Sequence, residues 1–559
     1  MGRRCVYIVL VGVALTAIGL GATPGAADMC SRLMSNSSLR RLPNTTITSA
    51  TTVSGMFTPP DGGEPIRGLP SFCRVAATLK PGPTSNVKVE VWMPTRGWNG
   101  KLEGVGNSGL AGSISYTNLP NHVDHAALVD AIQSGYAAVS TDTGHVASDR
   151  TWLANEDKEK DYGYRAIHGM TVDAKAIVQA FYGSAAKHSY FNGCSTGGGQ
   201  AFGEAQLYPE DYDGILAGDP QNILTHTLAV DISQLQAVDS DPSSKLSETA
   251  LSLVTEAVLK QCGSDNGGPT DGFLSSDPRE CWFGPEQLLC KEGQDPATCL
   301  TPPQAKLVMR IYEGYIVTST NQRVMPGLVP GSEAPIGPGV VGWADGREYL
   351  FSGNLDPSSL AAQFYGLGVL QDQNVDLRKV DIDSAVALAD KKFGFINHLS
   401  TDLDTFMQRG SKLLIYHGWA DGAITPLNSI NYYSSIVEAV KDNRHLKIVE
   451  AVKETQNSAR LFLVPGMGHC GGGPGPDTFD ALGTLDQWVD HSVPPDKIIA
   501  SHLRNGVPTF PRPLCPYPQE AQYMRSGDRT NASTWACVSG RSIEVFDQSF
   551  YEAPVAAAK

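Results

Sequence analysis

Ser189 to Asn192 reads as a short strand and Ala201 to Leu207 as a helix, with Gly193-Cys194-Ser195-Thr196-Gly197 on the turn between them. A strand that reverses into a helix this abruptly needs small residues on both flanks of its apex, because a larger side chain would collide with neighbouring backbone. Gly193 and Gly197 meet that need, and Gly198 and Gly199 give further room. Tyr212 to Ala217 then resumes a strand. Strand, turn, helix, strand is the order that builds a mostly parallel sheet, so the expected class is α/β.

The same rhythm appears on either side. Val87, Val89 and Val91 alternate with Lys88 and Glu90 in a strand that stops at Pro94, and Tyr136 to Thr141 forms another. Met170, Ala174, Ile177, Val178 and Phe181 recur at helical spacing. Late in the chain, the strand Leu413 to Tyr416 runs into His417-Gly418-Trp419-Ala420-Asp421-Gly422, followed by a helix with Ile430, Tyr433, Ile436, Val437 and Val440 on one face. The strand Arg460 to Val464 leads to Pro465-Gly466-Met467-Gly468-His469-Cys470, and a last amphipathic helix carries Phe479, Leu482, Leu485, Trp488 and Val489. Residues 28 to about 80, rich in Ser, Thr, Pro and Gly, read as an irregular arm. Between Asp219 and about Gly410 the alternation is lost among prolines, glycines and four cysteines. The organisation expected is a leader at 1–27, a catalytic domain in two parts at 28–220 and 411–559, and an inserted domain at 221–410. No internal repeat is visible, and Val555 to Lys559 reads as a disordered tail.

Composition narrows the partners. The 559 residues carry 43 basic and 58 acidic side chains, a formal net charge of -15, with no basic run after the leader. Nucleic acid and anionic membrane surfaces are therefore excluded as expected partners. Arg3 and Arg4, the apolar run from Val6 to Leu20 and the small residues up to Ala27 match an export signal, and the run is short for a membrane span. Export implies a secreted or periplasmic location. Ten cysteines follow the leader, an even number that implies disulfides in an oxidising compartment. Many pairings are open to ten cysteines. Short loops favour Cys262 with Cys281, Cys290 with Cys299 and Cys515 with Cys537, and Cys30 with Cys73 would pin the N-terminal arm, leaving Cys194 and Cys470.

Serine at its ordinary pKa is a weak nucleophile, so a reactive Ser195 needs a base, a group to orient that base, and donors for a developing oxyanion. On a turn of this kind the partners follow in the order serine, acid, histidine, each after a sheet strand, and Asp421 and His469 satisfy that order. Asp219 in Gly218-Asp219-Pro220 is a rival acid, with a turn role as its alternative. His417 reads as loop support and His145 as a structural histidine. Cys194 is a rival nucleophile only if it is unpaired. Thr196, directly after the serine, offers one backbone oxyanion donor, and Gly109 in Gly104-Val105-Gly106-Asn107-Ser108-Gly109 is the favoured second. No zinc, phosphate-loop or dinucleotide fingerprint is present, so no cofactor is expected for catalysis.

Several of these pieces together resemble the tannase and feruloyl esterase family of secreted α/β-hydrolases, which includes the enzyme hydrolysing mono(2-hydroxyethyl) terephthalate. The resemblance rests on Trp98-Asn99-Gly100 with Gly104-Val105-Gly106-Asn107, Ser140-Thr141-Asp142-Thr143-Gly144-His145, Gly193-Cys194-Ser195-Thr196-Gly197-Gly198, His417-Gly418-Trp419-Ala420-Asp421 and Gly466-Met467-Gly468-His469-Cys470. It implies an α/β-hydrolase sheet with a large inserted lid domain, a Ser195, Asp421 and His469 triad, and a bond between Cys194 and Cys470. It also implies a structural calcium in the lid. Here the chain departs from the family's acidic loop, since Gly267 stands where an Asp is expected and one extra residue follows Cys262. The ligand set that remains is Asp265, Asp271 and the carbonyls of Pro269 and Phe273.

The activity implied is hydrolysis of a small aromatic ester, hydroxycinnamoyl or galloyl, including esters released from plant polymers. Trp343, Phe351, Phe364 and Tyr365 are candidate walls for the aromatic group. A terephthalate monoester is ranked lower, because its free carboxylate favours a cation and no Lys or Arg lies between Arg347 and Arg378. The alternative of another class is an exported protein that binds polyphenol or carbohydrate without catalysis.

Overall fold

The computed structural model describes residues 26–118, 123, 125–263, 271–317, 323–334, 342–344, 347–504 and 506–543. The expected leader, up to residue 25, and the C-terminal tail lie outside them.

Nine described strands form one sheet: β1 (Thr45–Phe57), β2 (Ile66–Leu79), β3 (Val87–Pro94), β4 (Lys101–Val105), β5 (Ala137–Thr141), β6 (His188–Cys194), β7 (Gly214–Gly218), β10 (Lys412–Gly418) and β11 (Ala459–Val464), in the spatial order β1-β2-β3-β5-β4-β6-β7-β10-β11. From β5 to β11 every pairing is parallel, and β1, β2 and β3 add an antiparallel edge. Period-two alternation sorts each strand's side chains onto two faces. Phe191, Ile215, Leu413 and Leu461 join a core with the helices Ala166–Tyr182, Thr196–Leu207 and Pro426–Arg444. Their neighbours Tyr190, Leu216, Leu414 and Phe462 join a second core with the helices Leu128–Gln133 and Ala481–His491. Helices therefore cover both faces, as an α/β-hydrolase sheet requires.

The irregular arm expected over residues 28 to 80 is instead largely β1 and β2, strands of 13 and 14 residues. Threonine is a good strand former, but register shifts at Ile47/Ser49 and between Val53 and Met56 break the alternation that would have announced them. Only β2 is covered on both sides, so β1 keeps the polar composition of a sheet edge.

The segment between β7 and β10 contains helices Leu224–Ser240, Glu248–Cys262, Pro302–Glu313 and Ile382–Phe393, and a small hairpin, β8 (Tyr315–Ile316) with β9 (Arg323–Met325). Its apolar faces build a further core, including Leu235, Val254, Leu307, Trp343, Phe364 and Phe393, which also takes in Leu110, Trp152, Leu153 and Tyr162 from before β7. The weak periodicity read there reflects helices buried on more than one side. Two further hairpins, β12 (Ile498–Arg504) with β13 (Val507–Leu514) and β14 (Gln519–Tyr523) with β15 (Trp535–Ser539), follow the last helix. Five disulfides join Cys30 to Cys73, Cys194 to Cys470, Cys262 to Cys281, Cys290 to Cys299 and Cys515 to Cys537. No described helix is long and apolar enough to cross a membrane.

Candidate active site

Strand register brings the site together. Cys194 of β6 pairs with Gly218 of β7, Gly218 with Tyr416 of β10, and Tyr416 with Phe462 of β11. Whatever follows these residues emerges at one edge of the sheet. Ser195 and Asp219 do so directly, His417 is the last but one residue of β10, and the loops carrying Asp421 and His469 leave at the same ends of the strands.

Ser195 has φ 60° and ψ -122°, a strained conformation for a residue with a side chain. Its N–H donates to Gly218 O at 2.9 Å, and its carbonyl accepts from Gln221 N at 2.8 Å. A Cβ on Gly193 would lie 2.8 Å from the Gly197 Cα, so the turn closes only with glycine there. Thr196 begins the helix, where backbone N–H groups lack intrahelical partners and the helix dipole favours negative charge. Its hydroxyl donates to Gly109 O at 2.6 Å, and the Tyr162 hydroxyl donates to the same carbonyl at 3.3 Å. Gly109 thus sits against the start of that helix.

His469 Nδ1 is 2.8 Å from Asp421 Oδ2. Asp421 is fully buried, and its Oδ1 accepts from Ala423 N at 2.8 Å and Ile424 N at 2.9 Å. Burial opposes its ionisation, but the His469 and His417 imidazoles outweigh that and hold the carboxyl well below the usual range. The disulfide between Cys194 and Cys470 links the residue before Ser195 to the residue after His469. Cys194 is therefore not a free thiol.

Asp219 is no substitute for Asp421. It lies beneath it, fully buried, accepting from Gly418 N at 2.9 Å through Oδ1, in side-chain hydrogen-bond contact with the Asp421 carboxyl. Two ionised carboxylates about 4 Å apart repel by about 4 kcal/mol at an effective dielectric near 20. Burial, then the charge of Asp421, pushes the Asp219 carboxyl well above its ordinary value. His417 supports the loop, with Nδ1 2.7 Å from Ser429 Oγ and Nε2 3.0 Å from Ile424 O and 3.2 Å from Asp421 Oδ2. His145 stacks on Trp152 with ring centroids 4.3 Å apart and holds Leu110 O at 2.9 Å, next to Gly109.

Ser195, Thr196, Gly109 and His469 share the wall of one cavity of about 450 Å³, a size suited to a small organic ligand. Leu224, Leu228, Leu355, Leu360 and Ile424 supply its apolar surface. The four aromatic residues expected as walls are elsewhere. Trp343, Phe364 and Tyr365 are fully buried in the insert's core, and Phe351 packs against that core. Their size made them attractive as walls, and the same size makes them the centre of a helical core. Arg347, at the boundary of the stretch without Lys or Arg, does line the cavity. Its guanidinium faces Asp231 at 3.1 Å and donates to Gly422 O and, at 3.1 Å, Ala423 O. It is therefore committed to the loop that carries Asp421.

The implied calcium set fares differently. Asp265 and Pro269 lie outside the described residues. The carboxylate of Asp271 faces two cations already, with Oδ2 3.4 Å from Arg512 and 3.3 Å from Arg529, and the Phe273 ring is buried near Phe510. A dication bound to this oxygen would meet both guanidinium groups, so the described part of the set does not fit calcium, and no chemistry is routed through it.

Comparison with known proteins agrees with the architecture. The sequence model of the family described as tannase and feruloyl esterase matches residues 73–538. An uncharacterised esterase of Xanthomonas campestris is 34% identical, covering 97% of this chain and 96% of that protein. A probable feruloyl esterase B-2 of Neosartorya fischeri is 30% identical over 84% of this chain and 86% of its own length. Among solved structures, feruloyl esterase B from Aspergillus oryzae superposes with a TM-score of 0.79 at 27% identity, covering 92% of this chain and all of that one. Tannin acyl hydrolase from Aspergillus niger shares the fold with a TM-score of 0.73 at 18% identity. With the sheet, the turn at Ser195 and these relatives in agreement, the chain is a carboxylic ester hydrolase that belongs to the tannase and feruloyl esterase family.

Proposed function

We propose that this chain is an exported serine esterase that cleaves aromatic carboxylic esters, hydroxycinnamoyl or galloyl, through an acyl-enzyme on Ser195. The observation that carries the reading is the His469–Asp421 pair at 2.8 Å sharing a cavity with the strained Ser195, cross-linked beside both reacting residues. The five disulfides favour an oxidising location, secreted or periplasmic.

In this mechanism Ser195 Oγ attacks the ester carbon while His469 Nε2 takes its proton. Asp421 holds Nδ1–H, fixing the tautomer and stabilising the imidazolium. The carbonyl oxygen becomes an oxyanion facing the backbone N–H groups of Thr196 and Gly109. Collapse of this intermediate breaks the ester C–O bond, and the imidazolium returns its proton to the leaving alcohol. A water molecule, deprotonated by the same imidazole, then hydrolyses the acyl-enzyme, releasing the carboxylic acid and restoring Ser195.

The acyl preference follows from the cavity wall. Its apolar surface suits a ring, and its arginine is paired with Asp231, which leaves a terephthalate monoester's free carboxylate without an uncommitted cation there. The experiment is steady-state turnover of methyl ferulate, methyl gallate and a terephthalate monoester by the wild type and Ser195→Ala. The first two are expected to be the better substrates, and the variant to lose turnover of all three and labelling by a fluorophosphonate while keeping its fold. Undiminished turnover by Ser195→Ala removes the assignment, and a preference for the terephthalate monoester reverses the ranking.

A further inference from the structure

Beneath the site, Asp219, His417 and Asp421 form a buried group, with a carboxylate oxygen of each Asp and a His417 ring nitrogen all within 4.8 Å of one another. Asp219 occupies a left-handed conformation, φ 37°, which Asn, Asp and Gly tolerate best. Its N–H donates to Tyr416 O at 2.9 Å and its Oδ1 accepts from Gly418 N at 2.9 Å. Its Oδ2 lies 3.6 Å from the bridged Cys194 Sγ. One side chain therefore touches the strand bearing the acid, the acid itself and the disulfide.

Hydrogen-bond directions constrain where the protons sit. Ile424 O can only accept, so His417 Nε2 carries hydrogen and faces both that carbonyl and Asp421 Oδ2. Its Nδ1 lies 2.7 Å from the Ser429 hydroxyl, which can donate to it or accept from it. Asp421 already receives Ala423 N, Ile424 N and His469 Nδ1 as an anion. Arg347, reaching from the segment between β7 and β10 and itself facing Asp231, adds positive charge to its field. Two fully buried carboxyls in hydrogen-bond contact need a proton between them, and Asp421, which already faces three N–H groups, is the one that keeps the negative charge.

We propose that Asp219 is a positioning residue for ester hydrolysis, whose protonated carboxyl donates a hydrogen bond to the Asp421 carboxylate and anchors it, through Gly418, to the strand that presents it to His469. The inference rests on the triad reading above. A neutral Asp219 adds no field at His469, whereas an ionised one would stabilise the imidazolium and raise the pH at which activity is lost on acidification.

The test compares wild type, Asp219→Asn, Asp219→Gly and Ser195→Ala on methyl ferulate across pH. Asparagine keeps both a donor toward Asp421 and an acceptor for Gly418 N, so the acid limb of kcat/KM is expected to stay within about 0.3 pH unit of wild type, against the one to three units that a lost neighbouring charge would produce. Glycine fits the backbone conformation but leaves Asp421 unanchored, and kcat is expected to fall roughly 10- to 100-fold with KM little changed. An acid limb displaced downward by a unit or more in Asp219→Asn, or wild-type kcat in Asp219→Gly, overturns the proposal. Turnover by Ser195→Ala would instead defeat the triad reading itself, so the two failures are distinguishable.

Discussion

Asp142 and His145 sit three residues apart on the loop after β5 and respond to pH in opposite senses. Asp142 Oδ1 accepts from Lys88 N and Gly144 N, each at 2.8 Å, yet burial pushes its carboxyl up to about 7. The folded state then binds more protons than the unfolded one between about pH 4 and 7, so its contribution falls as pH rises through that window. Burial lowers His145 to about 4, and also His398, to about 4. For these the unfolded state binds the extra protons, and their contribution is lost as pH falls from about 6.5 to 4. The slopes offset each other in the wild type. Asp142→Asn, whose amide oxygen can still accept both N–H groups, removes only the first, so stability is expected to rise at pH 8 and to drop more steeply on acidification to pH 5. Urea denaturation of both proteins at the two pH values checks this, with differences on the order of a few kcal/mol. At this scale the closeness of His469 to Asp421, and its place on one cavity with Ser195, could be anticipated because each of the three follows a strand signal on one contiguous segment. Asp219 was read as a competitor because its partners, Gly418 and Asp421, are set by the β7–β10 register, which no local pattern carries.

Among elements, β3 announced itself through alternating valines and β6 and β7 through their order around the glycine-flanked turn, whereas β1 and β2 hid behind bulges and an edge strand's polar face. The break in rhythm between Asp219 and about Gly410 was legible, but not what that segment brings to the site. Arg347 shows what was missed. It stands on the insert, yet its forked guanidinium reaches the carbonyls of Gly422 and Ala423, the two residues after Asp421. A lysine would keep the charge facing Asp231 but cannot span both carbonyls. Arg347→Lys is therefore expected to lower kcat about tenfold, through looser placement of the acid loop, with a smaller change in KM. Steady-state kinetics on methyl ferulate check it, and a variant with wild-type kcat would show that the loop holds its position without the insert.

Across the whole molecule, chemistry and stability depend on links between segments far apart in sequence. The bond between Cys194 and Cys470 spans 276 residues, including the entire insert. In the chain-entropy picture a loop of that size restricts the unfolded chain by roughly 6 kcal/mol, while the bridge also fixes the distance between the turn at Ser195 and the loop at His469. Asp271 ties the insert to the C-terminal hairpins in another way. Arg512 is almost fully buried, lies over the Trp535 ring at 4.3 Å and shares Asp271 Oδ2 with Arg529. These guanidinium groups supply positive charge where the family resemblance implied a metal, beside a loop in which glycine replaces one of the expected carboxylates. If that reading is right, melting temperatures in excess chelator and in excess calcium coincide. Asp271→Asn, which leaves a buried arginine without its anion, is expected to cost about 2 kcal/mol in either condition. A melting temperature that drops in chelator and recovers with calcium would mean that the arginines share the carboxylate with a metal rather than stand in for one.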